Sequence, residues 1–289
     1  MVAAPAKALG YWLKPPRFDY ARADDPEAAI ELLAEHGEDA RILAGGQSLI
    51  AVLNMRLAQP KLLIDISRSS VLGIAAVEKN FLAIGAAATQ SSIEARPRLA
   101  REVPLLAQAL PHISHFQIRN RGTVCGSLAH ADPSAELPLV LLALEGHVVL
   151  ASSARQRRLA ASDFFTGMLT TARAPDELLA AVHYPLAEPG AGHAFAEFSL
   201  RHGDYAVCAV AVVARRSGLR IAVGGVADRP SARNFPPLDG SALDDALNEF
   251  AWSLDARDDP MVSAVARRAL VRSLGRRAVQ QAQHNARTA

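Results

Sequence analysis

The sequence has 289 residues, 50% of them hydrophobic and 21% charged, and its formal net charge is +2. This composition is that of an ordinary globular protein and excludes collagen-like, coiled-coil and wholly disordered chains, while the length predicts about two domains. The near-neutral charge gives no indication of a nucleic-acid partner. Because Cys125 and Cys208 are the only cysteines, the chain cannot by itself carry an iron–sulfur cluster or a four-cysteine zinc site, and a reducing cytoplasm is the expected location.

No uninterrupted apolar run reaches the roughly 18 residues that a membrane helix needs, so no membrane span is predicted. Residues 1–16 lack the long apolar block of a secretory signal and are predicted to form a flexible tail.

The first predicted element is a helix that begins at Asp25-Pro26-Glu27, which supplies an N-cap, a proline in the first turn and an acidic side chain. Gly37 is predicted to end this helix. Two short apolar runs, 41–44 and 49–57, then flank a glycine pair, and residues 61–66 are predicted to form a strand.

The next part of the chain alternates strand and helix patterns, which is typical of an α+β protein. The predicted elements are a hairpin (71–77 and 81–86), a helix (91–113), a glycine-rich segment (122–128), a short helix (138–144) and two strands (147–151 and 177–184).

Residues 185–192 are predicted to form a linker to a smaller C-terminal domain at 186–289. This domain is predicted to hold a three-stranded antiparallel sheet, made of 194–201, 205–215 and 219–227, followed by helices. In the first of these helices, which Ser241 is predicted to cap, the apolar side chains recur at helical spacing: Leu243, Leu247, Phe250 and Leu254.

Two segments are candidates for ligand binding. Residues 43–49 place the pair Gly45-Gly46 directly after a strand and before an apolar stretch, a pattern in which backbone N–H groups can reach an anion such as a diphosphate. The pattern matches neither the Rossmann nor the P-loop fingerprint, and a simple turn would also explain it.

The second candidate segment runs from Arg119 to Pro133 and is followed by Glu136. Small residues admit a flat ligand with polar edges, and the hydroxyl, imidazole and carboxylate groups that follow can form hydrogen bonds with it. A tight corner between a strand and a loop is the alternative interpretation.

Together the two segments carry a family resemblance. The patterns AGGQSL at 44–49 and RNRGTVCGSLAHADPSAELP at 119–138 resemble the FAD-binding medium subunit of bacterial molybdenum hydroxylases. This family includes carbon monoxide dehydrogenase, xanthine dehydrogenase, and quinoline and nicotine dehydrogenases. Further matches are found at 163–167, 175–179 and 201–206.

The resemblance implies a vanillyl-alcohol-oxidase-like FAD-binding domain at 17–182. Its two subdomains, about 17–66 and 67–182, would hold the flavin between them. The residues that the resemblance assigns to cofactor binding are Ile42, Leu43, Ala44, Gly45, Gly46, Gln47, Ser48 and Leu49 around the diphosphate, then Ile113, Thr123, Gly126, Ser127, His130, Asp132, Glu136, Leu179 and Tyr205.

The sequence departs from the family pattern at three positions. Cys125 stands where a second glycine is usual, Leu200 replaces a commonly basic residue, and Glu136 is one methylene longer than the usual aspartate. Since cysteine behaves as a small hydrophobic residue, silent packing of Cys125 is favoured over crowding of the ligand.

The resemblance implies an electron-transfer subunit that passes electrons from an iron–sulfur partner through FAD to an external acceptor. The molybdenum cofactor and [2Fe-2S] clusters would then belong to a large and a small partner subunit, in a dimer of heterotrimers. No catalytic or metal-binding residue is assigned to this chain. The alternatives are a stand-alone FAD-dependent oxidoreductase and a non-redox nucleotide-binding assembly module.

A group of arginines lies in the last predicted helix, at positions 267, 268, 272, 276 and 277. The simplest interpretation is a solvated helix face, and the functional one is a basic surface that docks an acidic partner.

Overall fold

The computed structural model describes residues 15–288. Residues 1–14 of the predicted tail 1–16 lie outside the described residues. The described strands are β1 (Asp19–Arg22), β2 (Ala40–Leu43), β3 (Leu62–Asp65), β4 (Ala75–Glu78), β5 (Phe81–Gly85), β6 (His147–Ala151), β7 (Gln156–Ala160), β8 (Phe165–Gly167), β9 (Thr170–Thr171), β10 (Leu178–Pro185), β11 (Gly192–Phe198), β12 (Cys208–Arg215), β13 (Gly218–Gly224) and β14 (Ser231–Phe235). The helices are α1 (Pro26–His36), α2 (Leu49–Asn54), α3 (Gln90–Glu94), α4 (Leu99–Glu102), α5 (Pro104–Ala109), α6 (Phe116–Arg119), α7 (Val124–His130), α8 (Glu136–Ala143), α9 (Ala161–Phe164), α10 (Gly240–Ser253) and α11 (Ala264–Thr288).

The N-terminal sheet is parallel and three-stranded, in the order β1-β3-β2. Helix α1 covers it and begins as predicted, because the Asp25 carboxylate accepts a hydrogen bond from the Ala28 N–H over 2.8 Å. Gly37 ends the helix with a φ of 50°. The side chains of Leu33 and Ile64 are buried between the helix and the sheet. The glycine pair follows one residue after the half-buried parallel strand β2.

The second sheet has five strands in the order β4-β5-β10-β6-β7, and each neighbouring pair is antiparallel. The predicted hairpin is confirmed in shorter form by β4 and β5. Helices α7 and α8 lie against this part of the structure, and every residue of α8 is buried. The mixture of helices and sheets confirms the predicted α+β class, while the domain boundaries remain predictions.

The predicted helix at 91–113 is wrong as a single element. The chain forms three short helices, α3 to α5, and then one turn of 3-10 helix at Leu110–His112. Pro97, Pro104 and Pro111 interrupt the segment, because proline lacks the N–H group that a continuing helix needs. The glycine-rich segment at 122–128 contains the start of helix α7.

The C-terminal sheet has four antiparallel strands, β11-β12-β13-β14, and the prediction of three is wrong. The missed strand, β14, consists largely of polar residues and follows Pro230, so no apolar alternation marks it. Pairing with β13 determines its conformation. Helices α10 and α11 cover one face of the sheet, and α8 contacts the other face.

Helix α11 does not present all its arginines to solvent. Arg267 is only 5% exposed, since it shares the inner face of the helix with Val271, Leu274 and Ala278. The prediction of a continuous solvated arginine face is wrong at this position. Among residues 15–288, no helix is both long and apolar enough to cross a membrane.

A pair of histidines in the second sheet is expected to make the stability of the protein pH-dependent. His147 of β6 lies opposite His183 of β10, with 4.8 Å between the ring centroids. Burial, and after it the charge of Arg158, lowers the pKa of His183, although Glu78 opposes this shift; burial also lowers the pKa of His147. The unfolded chain therefore binds more protons than the folded chain as the pH falls through about 6.5.

We expect the free energy of unfolding in urea to decrease between about pH 7.5 and about pH 5.5, and to decrease less in His183→Gln. His284→Gln, at an exposed position of α11, is the control and should keep the wild-type slope. Equal slopes for His183→Gln and the wild type would contradict this assignment.

Candidate functional site: a cavity lined by two glycine segments

A cavity of about 960 Å³ runs past the carboxyl ends of the N-terminal strands, the start of α7 and the start of α8. Its volume lies at the upper end of the range of small-molecule and cofactor sites. All of the residues predicted for cofactor binding except Leu43 line this cavity. The Leu43 side chain instead lies under the glycine turn, 3.3 Å from where a Cβ on Gly46 would be. The structure thus brings together two segments about 80 residues apart in sequence.

The first glycine segment turns sharply between β2 and α2. Gly46 has a φ of 73°, a conformation that favours glycine. No acceptor among the described residues takes the N–H groups of Gly46, Gln47 and Ser48, and all three residues line the cavity. Successive unpartnered N–H groups form a concave site that suits an anion. Ser48 makes no capping hydrogen bond, so its hydroxyl is also available.

Gly45 brings the two segments into direct contact. A Cβ at this position would lie 2.3 Å from the Arg121 carbonyl oxygen and 2.8 Å from the Gly122 Cα atom. Only glycine therefore allows the backbone of the first segment to approach the second this closely. Gly122 in turn accepts a hydrogen bond from the Gln90 N–H over 2.8 Å, which ties the second segment to α3.

The second segment forms the start of α7. The Thr123 hydroxyl caps this helix by accepting a hydrogen bond from the Gly126 N–H over 3.0 Å. The thiol of Cys125 lies 3.5 Å from the Ile84 carbonyl oxygen in the hydrophobic core, and burial raises its pKa far above the usual range. Cys125 is thus packed in the core, although it also borders the cavity, and its silent packing beside a ligand stays a prediction.

Acidic groups line the part of the cavity where α7 gives way to α8. Ala131 ends α7 with a φ of 52°, and Asp132 then accepts a hydrogen bond from the Ser134 N–H. Glu136, the first residue of α8, is only 5% exposed, and burial raises its pKa to about 7. Tyr205 borders the same region; burial and then Asp132 raise its pKa. This wall can both donate and accept hydrogen bonds near neutral pH.

Gln90 and Arg173 are among the polar residues of the cavity that were not predicted from the sequence. Gln90 is 4% exposed, and its Oε1 atom has no hydrogen-bond partner among the described residues. Arg173 donates hydrogen bonds to the carbonyl oxygens of Ala174 and Glu177, and burial lowers its pKa. Neither residue lies in a recognisable motif; the proximity of Arg173 to the matched segment at 175–179 was the only available signal.

These observations fit FAD. The N–H groups of the turn after β2 have no described acceptor and suit the diphosphate of FAD. Gly45 lets this turn approach the second segment, because the Cβ of any larger residue would collide with that segment. Gln90 and Glu136 offer buried polar atoms to the remaining edges of the cofactor. Ile113 and Leu179 supply apolar wall, and Ser127 and His130 line the same cavity as the acidic groups.

Comparison with known proteins agrees with this geometry. Residues 16–187 match the family described as the FAD-binding domain in molybdopterin dehydrogenase. The nicotine 6-hydroxylase medium subunit of Paenarthrobacter nicotinovorans is 40% identical over 284 residues, which cover 93% of this chain and 99% of that relative. The 6-hydroxypseudooxynicotine dehydrogenase complex subunit alpha of the same organism is 45% identical over 197 residues, which cover 68% of this chain and 66% of that relative.

A solved structure extends the similarity to the whole fold. A chain of carbon monoxide dehydrogenase from Hydrogenophaga pseudoflava superposes with a TM-score of 0.89 at 31% identity, covering 94% of this chain and 99% of that one. The resemblance stated from the sequence is therefore confirmed. The chain belongs to the FAD-binding subunits of the molybdopterin dehydrogenases, a family of oxidoreductases.

Proposed function

We propose that the chain is the electron-transfer subunit of a heterotrimeric molybdenum hydroxylase, in which FAD relays electrons from an iron–sulfur subunit to an external acceptor. The observation that carries the proposal is the contact between the two glycine segments, which places N–H groups without a described acceptor along one cavity. Bound FAD supplies the redox chemistry, since it can exchange electrons singly or in pairs.

The residues of this chain bind and orient the cofactor. Gly46, Gln47 and Ser48 would hold the diphosphate through their N–H groups, and Thr123 would fix the start of α7 beside it. Glu136 would contact a polar part of the cofactor away from the diphosphate. These groups lie at the ends of packed helices and strands, so they would hold the cofactor in one orientation. The redox chemistry belongs to FAD and needs no acid–base residue from this chain.

The proposal includes the finer arrangement of the chain. Residues 17–66 and 67–182 would form the two subdomains on either side of FAD, as in vanillyl-alcohol-oxidase-like proteins, and 186–289 the C-terminal domain. The position of the cavity, between the three-stranded and five-stranded sheets, supports this division.

The partners follow from the relatives and from the cysteines. The matched relatives include a nicotine 6-hydroxylase medium subunit and carbon monoxide dehydrogenase medium chains. Both cysteines of this chain are buried, so neither can ligate a cluster at its surface. A small subunit would supply the [2Fe-2S] clusters and a large subunit the molybdenum cofactor. We propose a cytoplasmic dimer of such heterotrimers.

Purification of the tagged chain, co-expressed with its genomic neighbours, tests this proposal. We expect two further chains to co-purify, with about one FAD per copy of this chain, and iron and molybdenum only in the complex. Adding the organic substrate without oxygen should bleach the flavin absorption of the complex but not that of the isolated chain.

Two outcomes would contradict the proposal. Bleaching of the isolated chain by a substrate of its own would favour a stand-alone oxidoreductase. A colourless chain that ignores added FAD would favour a non-redox assembly module.

A further inference from the structure

Arg173 brings a positive charge to the cavity without a carboxylate partner. This half-buried residue follows β9 and lines the cavity. Its Nη1 atom donates hydrogen bonds to the carbonyl oxygens of Ala174, Pro175 and Glu177, over 3.0, 3.4 and 2.7 Å. Among residues 15–288, its Nε and Nη2 atoms have no acceptor, and its guanidinium group forms no ion pair. The group is therefore anchored through one nitrogen and has two others available.

The acidic residue of this anchor has another partner. Glu177 accepts hydrogen bonds from Arg157 at both carboxylate oxygens, over 2.6 and 2.8 Å. Burial and then the charge of Arg41 lower the pKa of Arg173. Glu177 and Asp176 oppose this shift without overcoming it. Since a charge removed from water without a partner is costly, the fold leaves a partner for Arg173 to be supplied from the cavity.

Arg41 borders the cavity in the same manner. Its Nη1 atom donates hydrogen bonds to the carbonyl oxygens of Glu38 and Ala40, each over 2.8 Å, and it forms no ion pair within the described part of the chain. The exposed Glu38 side chain also lines the cavity but pairs with neither arginine. Arg41 and Arg173 are the arginines among the described residues that line the cavity, and no described lysine lines it.

Both arginines lie where β2 and β10 begin. Arg173 is anchored to the carbonyl oxygen of Glu177, and the next residue, Leu178, is buried in the same hydrophobic cluster as Ala40. Ala40 directly precedes Arg41 at the start of β2. The two guanidinium groups therefore border one end of the cavity, which we call the arginine end.

The arginine end lies away from the turn that suits the diphosphate. Arg41 precedes Gly45 by four residues, which span about 13 Å in an extended strand. The buried side chains of Leu33 and Leu178 also line the cavity, whereas Tyr205, which borders another part, is 60% exposed. FAD extends from its diphosphate as an adenosine half and a riboflavin half. Because the riboflavin half must exchange electrons with other molecules, it suits the more open part, and the adenosine half suits the arginine end.

We propose that Arg173 is a binding residue for the adenosine half of FAD, to which its Nε and Nη2 atoms donate hydrogen bonds. This inference rests on the proposed FAD site. Adenine ring nitrogens and ribose oxygens are acceptors, and a planar, weakly hydrated guanidinium group suits a flat ring. The charge of Arg173 also offsets part of the negative charge that the diphosphate brings. The contact would favour FAD over FMN, which has no adenosine half.

The test compares the affinities of the full chain for FAD and for ADP, which contains the adenosine half and the diphosphate. Fluorescence quenching measures FAD binding, and displacement of FAD measures ADP binding. We expect Arg173→Gln to weaken both by about tenfold, the effect of losing one hydrogen bond from a charged donor. Arg155→Gln is the matched control, because Arg155 is exposed and does not line the cavity. It should bind both ligands like the wild type.

Salt separates this role from mere support of the loop after β9. The charge of Arg173 is screened at high ionic strength, so the tenfold difference at about 0.05 M NaCl should shrink to less than about threefold at about 1 M. A residue that only holds the loop through its Nη1 atom would change the affinity by the same factor at both concentrations. A constant factor would therefore overturn the inference.

Wild-type FAD affinity in Arg173→Gln, weaker FAD binding with unchanged ADP binding, or failure of ADP to displace FAD from the wild type would also overturn it. A wild type that binds neither FAD nor ADP would instead contradict the proposed function. Should Arg173→Gln fail to fold, nitrogen-15 NMR of the wild type still decides. The Nε–H signal of Arg173 should shift when ADP is added, and an unchanged signal would overturn the inference.

Discussion

Gly45→Ala is expected to leave a folded chain with about 100-fold weaker affinity for FAD, equivalent to about 2.7 kcal/mol. The added Cβ would lie 2.3 Å from one backbone atom and 2.8 Å from another, both in the second glycine segment. Backbone atoms cannot swing aside as a flexible side chain can, so the two segments must separate. The N–H groups after Gly45 would then be displaced from the rest of the cavity.

The measurement for Gly45→Ala is an FAD titration followed by fluorescence, with circular dichroism to confirm folding. Gly167→Ala is the matched control, because a Cβ at Gly167 would meet nothing within 4 Å. This control should bind FAD like the wild type. Wild-type affinity in Gly45→Ala would show that the close contact between the segments does not shape the site.

Arg267→Met is expected to lower the free energy of unfolding by about 2–4 kcal/mol, because it leaves buried acceptors without a donor. The guanidinium Nη1 atom donates hydrogen bonds to the carbonyl oxygens of Val207 and Gly225, each over 2.7 Å, and Nη2 pairs with Asp259. Gly225 also donates a hydrogen bond to the Pro133 carbonyl oxygen. Arg267 therefore ties helix α11 to a turn that contacts the cavity wall.

Urea unfolding followed by circular dichroism measures this effect. Arg272→Met, on the same helix, removes only an exposed hydrogen bond to Asn248 and should cost less than about 0.5 kcal/mol. Equal midpoints for the two variants would show that burial of Arg267 contributes nothing to stability.

Local signals in the sequence were sufficient where a few neighbouring residues determine the structure. The start of α1 depends on Asp25 and Pro26, and its end on Gly37, all within one short segment. Likewise the apolar spacing of α10 correctly identified its buried face, including Leu243 and Phe250.

Prediction failed where tertiary contacts determine the conformation. Strand β14 is polar and exists because β13 offers it a pairing edge. Arg267 was assigned to a solvated face, although it lies at helical spacing from Val271, Leu274 and Ala278, which are buried on the inner face of α11. This spacing, which is visible in the sequence, predicts that Arg267 lies on the inner face as well.

In the candidate site, too, local sequence patterns were sufficient for some residues and not for others. The two glycine segments are recognisable because their function depends on small residues at consecutive positions, such as Gly45 and Gly46. Gln90 and Arg173 reach the cavity from separate parts of the chain, and nothing in their immediate sequence indicates a ligand. Only the folded arrangement shows that they border the same space.

A crystal structure of the full chain with FAD bound would test the central claim most directly. We expect the diphosphate to lie within hydrogen-bond distance of the N–H groups of Gly46, Gln47 and Ser48, with Glu136 in contact with another part of the cofactor. FAD bound outside the cavity, or with its diphosphate away from the turn after β2, would contradict the account.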